Sequence, residues 1–164
     1  MVRNSFSKAI ALLTTFLCLA LFFCYSPSWE LVGVYKDCPW TNRLLFSFFH
    51  ASFLHAALNC WCLLSICFLY DISLTNLVSS FFIAFATPGL FLDSTPTVGL
   101  SACCFALLAF VSFQVIRKRL FFSHIAAYIA LGFIFPAVNG WIHLYAFCSA
   151  LLLASFTFHF SCSK

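Results

Sequence analysis

Charge is what this chain has least of. Charged residues fill 7% of its 164 positions, eight basic and four acidic, whereas a soluble domain carries about 25%. The remainder is 64% hydrophobic and 20% aromatic. A water-soluble fold of this size cannot hide that much apolar surface, so a single polytopic membrane domain is expected over residues 1–164. No stretch is polar enough to form a sizeable soluble domain, and internal repeats, low-complexity tracts and linkers are missing. No CxxC pair has the spacing of zinc ligands, so no metal is expected, nor any other cofactor or a nucleic-acid partner. The first apolar block lacks the small residues of a signal-peptide cleavage site, which favours a retained helix.

What is present is a series of apolar segments near the ~20 residues that cross a bilayer. They cover about 9–25, 43–69, 72–90, 99–116, 120–138 and 141–160. Pro88-Gly89 should end or bend the third, and Pro136, Asn139 and Gly140 mark the turn before the sixth. The loop at 26–42 carries Trp29, Tyr35 and Trp40, aromatics suited to the bilayer interface. Most of the ten cysteines lie inside apolar runs and should act as small apolar residues. Cys24 and Cys38 bracket the first loop; free thiols are expected there, with a disulfide as the lesser alternative. With both termini cytoplasmic, Arg3, Lys8, Arg117, Lys118, Arg119 and Lys164 fall inside and only Lys36 and Arg43 outside. The excess of inside basic residues sets this orientation.

Polar residues inside apolar segments are the candidates for function. His124 and His159 lie near cytoplasmic ends and read as interfacial. His50, His55 and His143 fall in outer halves, level with Ser101 at the outer start of the fourth segment. His55 and Asn59 are four apart and share a helix face. His50 lies about 140° away from His55 on an ideal helix and cannot join them unless the helix starts irregularly. Asn59 and His55 could simply glue helices together, and Gly99, Ser101 and Ala102 could simply be a small-residue packing patch. Their joint occurrence offers another reading. Ser101 would be a nucleophile and His143 its base, with the Ser101 backbone N–H, His55 and Asn59 as donors to an oxyanion. No acidic residue is placed to orient His143, because Asp93 lies in an outer loop and Asp71 on the cytoplasmic side. The chemistry would run on a dyad.

These residues give the chain a resemblance to the rhomboid family of intramembrane serine proteases. The pattern is H-x4-H-x3-N (His50, His55, Asn59), then G-x-S (Gly99, Ser101), then a histidine early in the sixth segment (His143), and it spans about residues 8–160. The resemblance implies an all-α bundle of six transmembrane helices of the minimal bacterial type. It implies Ser101 as nucleophile, His143 as general base and His55 and Asn59 in the oxyanion hole, with His50 in a supporting role. It also implies a short fourth helix that starts below the surface, and lateral entry of a substrate helix gated by the fifth. The chain departs from the family in four places. Ala102 stands for the glycine of G-x-S-G, and Phe105 for a tyrosine that stacks on the histidine. Ala146 and Ala150 replace glycines after His143, and Trp40 and Arg43 are split by Thr41-Asn42.

The function expected is therefore a serine endopeptidase of the bacterial inner membrane that opens to the outer face. Its partners would be the transmembrane segments of substrate proteins and the lipid bilayer. The main alternative is a catalytically inactive relative that binds transmembrane helices as a scaffold or chaperone. A small histidine-based transporter is weaker, since it gives G-x-S no role.

Overall fold

The computed structural model describes residues 5–135 and 138–162, with side chains as far as 156. Pro136, Arg3, Lys164 and the His159 side chain lie outside the described residues. The architecture is all-helical. Among the described residues eight α-helices run in order: α1 Ser5–Cys24, α2 Trp29–Val32, α3 Trp40–Leu45, α4 Phe53–Leu69, α5 Leu74–Phe85, α6 Ser101–Val111, α7 Lys118–Ile134 and α8 Gly140–Cys162. Short 3-10 turns occupy Phe46–Phe48 and Gly89–Phe91. The α2 and α3 helices break up what the sequence left as a loop over 26–42.

Local chemistry sets the helix ends. Ser52 caps α4 by accepting the His55 N–H at 3.2 Å, and Ser73 caps α5 by accepting from Asn76 at 3.1 Å. Pro88, which disfavours helical backbone before it, follows the end of α5. The expected segment 43–69 is not one helix: Trp40–Phe48 and Phe53–Leu69 meet at an 85° bend. His50 sits in that break, so its ring and that of His55 lie 5.0 Å apart, edge to face. The irregular start that an ideal helix forbade is what brings the two histidines together.

Two more expected spans are too long. Segment 72–90 contains only the 12-residue α5 and a short turn, and segment 99–116 only the 11-residue α6. Pro88 cuts the first. Gly99, with a positive φ of 132°, delays the second. By length and composition, α1 alone qualifies as a membrane span among the described residues, and Trp40–Leu69 qualifies as a second if the bent pair is one span.

The α6 helix is the core of the bundle. Ala102, Cys103, Cys104, Ala106, Leu107, Ala109, Phe110 and Val111 are all buried, so α6 is enclosed on every side. It packs most extensively on α8, then on α5 and α4, while α1 leans on α4 and α7 on α8. Alanines at helical spacing, 102, 106 and 109 on α6 and 146, 150 and 154 on α8, are all buried. Small side chains of this kind let two helix backbones approach closely.

The outer face is the reverse of a soluble protein's. Phe16, Trp61, Leu69, Phe82, Ile134 and Phe156, from five different helices, are all about two-thirds exposed or more. The interior meanwhile holds Ser7, Thr14, Asn42, Ser47, His50, Asn59, Ser80, Thr87, Ser112, Asn139 and His143. Several of these hydroxyls bond to carbonyls of their own helix, as in Ser80 to Leu77 (2.6 Å) and Ser112 to Ala109 (2.7 Å). Such bonds satisfy the hydroxyl locally without a partner helix.

The two ends of the bundle differ. At one, Ser7 donates to the Ile72 carbonyl (2.7 Å), and Gln114 exchanges two 3.0 Å bonds with the Asp71 backbone. Lys8 lies there over Phe68 and Lys118 over Phe113. At the other end, Val34 pairs with Thr97 in an isolated antiparallel bridge and the Lys36 N–H bonds to the Asp93 carbonyl. Asn42 donates to both the Glu30 and Gly33 carbonyls at 2.7 Å, and Arg43 bonds to the carbonyls of Phe85 and Thr87. These contacts fasten the first loop over the end of the bundle where Ser101 lies. Cys24 and Cys38 are free thiols.

Candidate active site

Ser101 is the first residue of α6. The chain reaches it through Gly99, whose amide donates to the Phe46 carbonyl at 2.8 Å, and through Leu100, whose amide donates to His50 Nε2 at 3.3 Å. His50 thus holds the backbone of the approach to Ser101 and does not line the cavity in front of it.

His143 lies one turn into α8. Its Nε2 and the Ser101 Oγ are 2.8 Å apart, a hydrogen bond between residues 42 positions distant in sequence. Three further constraints fix the ring. Phe105, one turn along α6 from Ser101, stacks on it with centroids 4.4 Å apart and planes 20° from parallel. On α7, Gly132 comes so near that a Cβ there would lie 3.3 Å from His143 Nδ1. Burial does the rest, with His143 only 7% exposed. His143 Nδ1 has no hydrogen-bond partner among the described residues. Among the described residues no carboxylate bonds to the ring, which is held by stacking and packing.

His55 and Asn59 converge on the other side of the serine. A Cβ placed on Gly99 would lie 2.6 Å from two atoms of the His55 ring and 3.3 Å from Asn59 Nδ2. Asn59 is 8% exposed and its Nδ2 has no partner among the described residues. A buried amide donor without an acceptor is costly unless something else accepts from it. Here it faces the segment that carries Ser101. Its own backbone carbonyl is engaged by the Cys104 thiol at 3.6 Å.

All five of Gly99, Ser101, His143, His55 and Asn59 line one cavity of about 640 Å³, together with Phe105. The walls away from these groups are mainly apolar, with Leu58, Trp61 and Ile66 from α4 and Leu108 from α6. The cavity follows α4 from His55 to Leu69 and reaches Tyr128 on α7. His124 is exposed on α7 and takes no part. Among the described residues no group of three or more His, Cys, Asp or Glu side chains is placed to hold a metal ion.

Chemically, the arrangement offers a hydroxyl hydrogen-bonded to an imidazole, at the N-terminus of a helix, with unused donors beside it. That is the equipment of acyl transfer. Two contributors were not singled out from sequence. In the sequence Asn139 marks a turn, and an asparagine just before a helical run is also a cap signal. Gly132, inside an apolar segment, carries no local signal, since its neighbour His143 arrives from a different helix. Compared with family models, with curated proteins and with solved structures, the chain matches none of them.

Proposed function

We propose that this chain is an intramembrane serine endopeptidase of the rhomboid type, with its six apolar segments embedded in a bilayer. The observation that carries the reading is the 2.8 Å Ser101–His143 bond inside a bundle whose outer face is apolar. An apolar medium accounts for the exposed aromatics and leucines, which water would not tolerate over so many helices. It also accounts for the way polar side chains turn inward. The placement of Lys8 and Lys118 at the end away from Ser101 supports cytoplasmic termini and a site that opens to the outer face of a bacterial inner membrane.

In this reading the substrate is a transmembrane segment of another membrane protein. Its scissile peptide must be extended to reach Ser101, so helix-breaking residues near the cut site favour cleavage. The neutral His143 ring carries its proton on Nδ1 and accepts the Ser101 hydroxyl proton at Nε2 as Oγ attacks the carbonyl carbon. The new C–O bond pushes the carbonyl electrons onto oxygen. The Ser101 N–H, Asn59 Nδ2 and His55 stabilise that oxyanion. His143 then gives its proton to the departing amine, the peptide C–N bond breaks, and an acyl-enzyme remains. Water, deprotonated by the same imidazole, hydrolyses the ester and restores Ser101.

The departures from the family pattern leave every reacting atom in place. Phe105 lacks the tyrosine hydroxyl but keeps the stack on His143. Ala102 is buried and small.

A fluorophosphonate probe, applied to the protein in detergent or lipid, tests the reading directly. Covalent labelling on Ser101, located by peptide mass spectrometry, is the expected outcome. Lack of labelling would favour the inactive, helix-binding alternative. Within the same assay Asn59→Ala is expected to slow labelling by about ten- to a hundredfold without abolishing it. Loss of one oxyanion donor typically costs about 10²–10³ in rate, and here two other donors remain. A wild-type rate in Asn59→Ala would remove Asn59 from the oxyanion hole.

A further inference from the structure

The dyad lacks an acid, yet the two segments that carry it are joined by one side chain. Asn139 is the residue before α8 and is 7% exposed. Its Oδ1 accepts the Ile142 N–H at 3.1 Å, capping the first turn of α8, the turn from which His143 projects. Its Nδ2 donates twice in the other direction, to the Phe91 carbonyl at 3.1 Å and to Asp93 Oδ2 at 2.9 Å. Phe91 and Asp93 begin the loop that leads to Ser101, and the same loop is pinned again by the Lys36–Asp93 and Val34–Thr97 backbone bonds. A single amide therefore ties the start of the base-bearing helix to the strap that delivers the nucleophile.

We propose that Asn139 is the positioning residue of the Ser101–His143 pair, a role that rests on the hydrolase reading above. It replaces the orienting acid of a triad by a different physical route. An acid acts on the imidazole itself through Nδ1. Asn139 acts through the backbone, by fixing where α8 begins relative to the loop before α6. The 2.8 Å separation of Nε2 and Oγ then follows from the register of two segments. A shift of a fraction of an ångström at the cap is passed along the helix backbone to His143, one turn later. Asp93 contributes as the anionic acceptor of the Asn139 amide. Its own carboxylate does not reach the ring, whose Nδ1 is unpartnered.

The two donors and the acceptor of Asn139 can be separated by substitution. Asn139→Ala removes all three bonds. Asn139→Asp keeps the cap acceptor and sets a second carboxylate against Asp93. Adding Asp93→Asn to it rebuilds the link with donor and acceptor exchanged, and only the bond to Phe91 is lost. Asn139→Ala is expected to lower both the rate of Ser101 labelling and kcat about tenfold, or about 1.4 kcal/mol, with KM changed less than twofold. Asn139→Asp should lose a similar amount, and the exchanged pair should recover to within about threefold of wild type. A wild-type rate in Asn139→Ala, or an exchanged pair no better than Asn139→Asp alone, would overturn the proposal. The ¹⁵N resonances of the His143 imidazole give a readout independent of turnover. If the wild type fails to label but these resonances move in Asn139→Ala and return in the exchanged pair, the hydrolase reading falls and the positioning role stands. If labelling occurs and the resonances do not move, the reverse holds.

Discussion

Ser101→Ala and His143→Ala are each expected to reduce cleavage of a transmembrane test substrate by at least about a thousandfold, with no further fall in the double variant. The 2.8 Å bond makes the two residues one chemical unit, because the hydroxyl is a weak nucleophile without the imidazole and the imidazole has nothing to deprotonate without the hydroxyl. Removing either member therefore removes the whole contribution, and the second substitution finds nothing left to take. Two independent contributors would instead multiply their losses. Neither change is expected to unfold the bundle. Ser101 and His143 bond mainly to each other, and Phe105, Gly132 and the alanines of α6 and α8 remain to pack the region. Helical circular dichroism on the purified variants checks this. Full cleavage by either single variant would end the serine-protease assignment.

Gly99→Ala is the second large effect. Gly99 has φ of 132°, a conformation that L-residues rarely adopt. A side chain there costs about 1–3 kcal/mol in backbone strain alone. The new Cβ would in addition lie 2.6 Å from the His55 ring, closer than any real contact, and 3.3 Å from Asn59. Either the backbone rotates, which moves Ser101 two residues on, or His55 swings out of the site. Both routes damage the same place, and about a hundredfold loss in the labelling rate of Ser101 is expected, with a fall in thermal stability. Gly89→Ala serves as the control. A Cβ at Gly89 meets nothing within 4 Å, and its variant should label at the wild-type rate. Equal rates for the two alanine variants would show that the space at Gly99 is not needed.

Helical class and the partition of the chain were readable because both rest on local composition. Apolar runs separated by Pro88-Gly89 and by Asn139-Gly140 announce helices and breaks whatever they pack against. Counting along those runs placed Ser101, His55, Asn59 and His143 at a common level, and the four line one cavity. The stack of Phe105 on His143 was implied by the family resemblance, and its position one turn after Ser101 on the same helix is compatible with it. The lengths were overestimated where apolar residues continue outside the helix. Leu44 to Phe49 look like the start of a span, yet the chain bends by 85° there, and nothing in their polarity records it. On a continuous helix His50 would be misaligned, and the bend is what brings it to His55. Asn139 and Asn42 escaped for another reason. Each bonds to carbonyls that the chain supplies from a separate loop or helix end, and carbonyls look alike in every sequence.

The dimensions of α6 bear on how the protein is made. Eleven residues rise about 16 Å, roughly half of a ~30 Å hydrocarbon layer. A segment so short has little to hold it in a bilayer on its own, and its most extensive packing is with α8, which follows it in the chain. The nascent chain thus carries Ser101 for a time without its proposed base, since His143 follows it by 42 positions. Under the proposed chemistry, hydrolytic competence arrives only when translation has delivered α8 and the cage around α6 has closed. On that proposal a chain that stops before α8 is inert for want of its base.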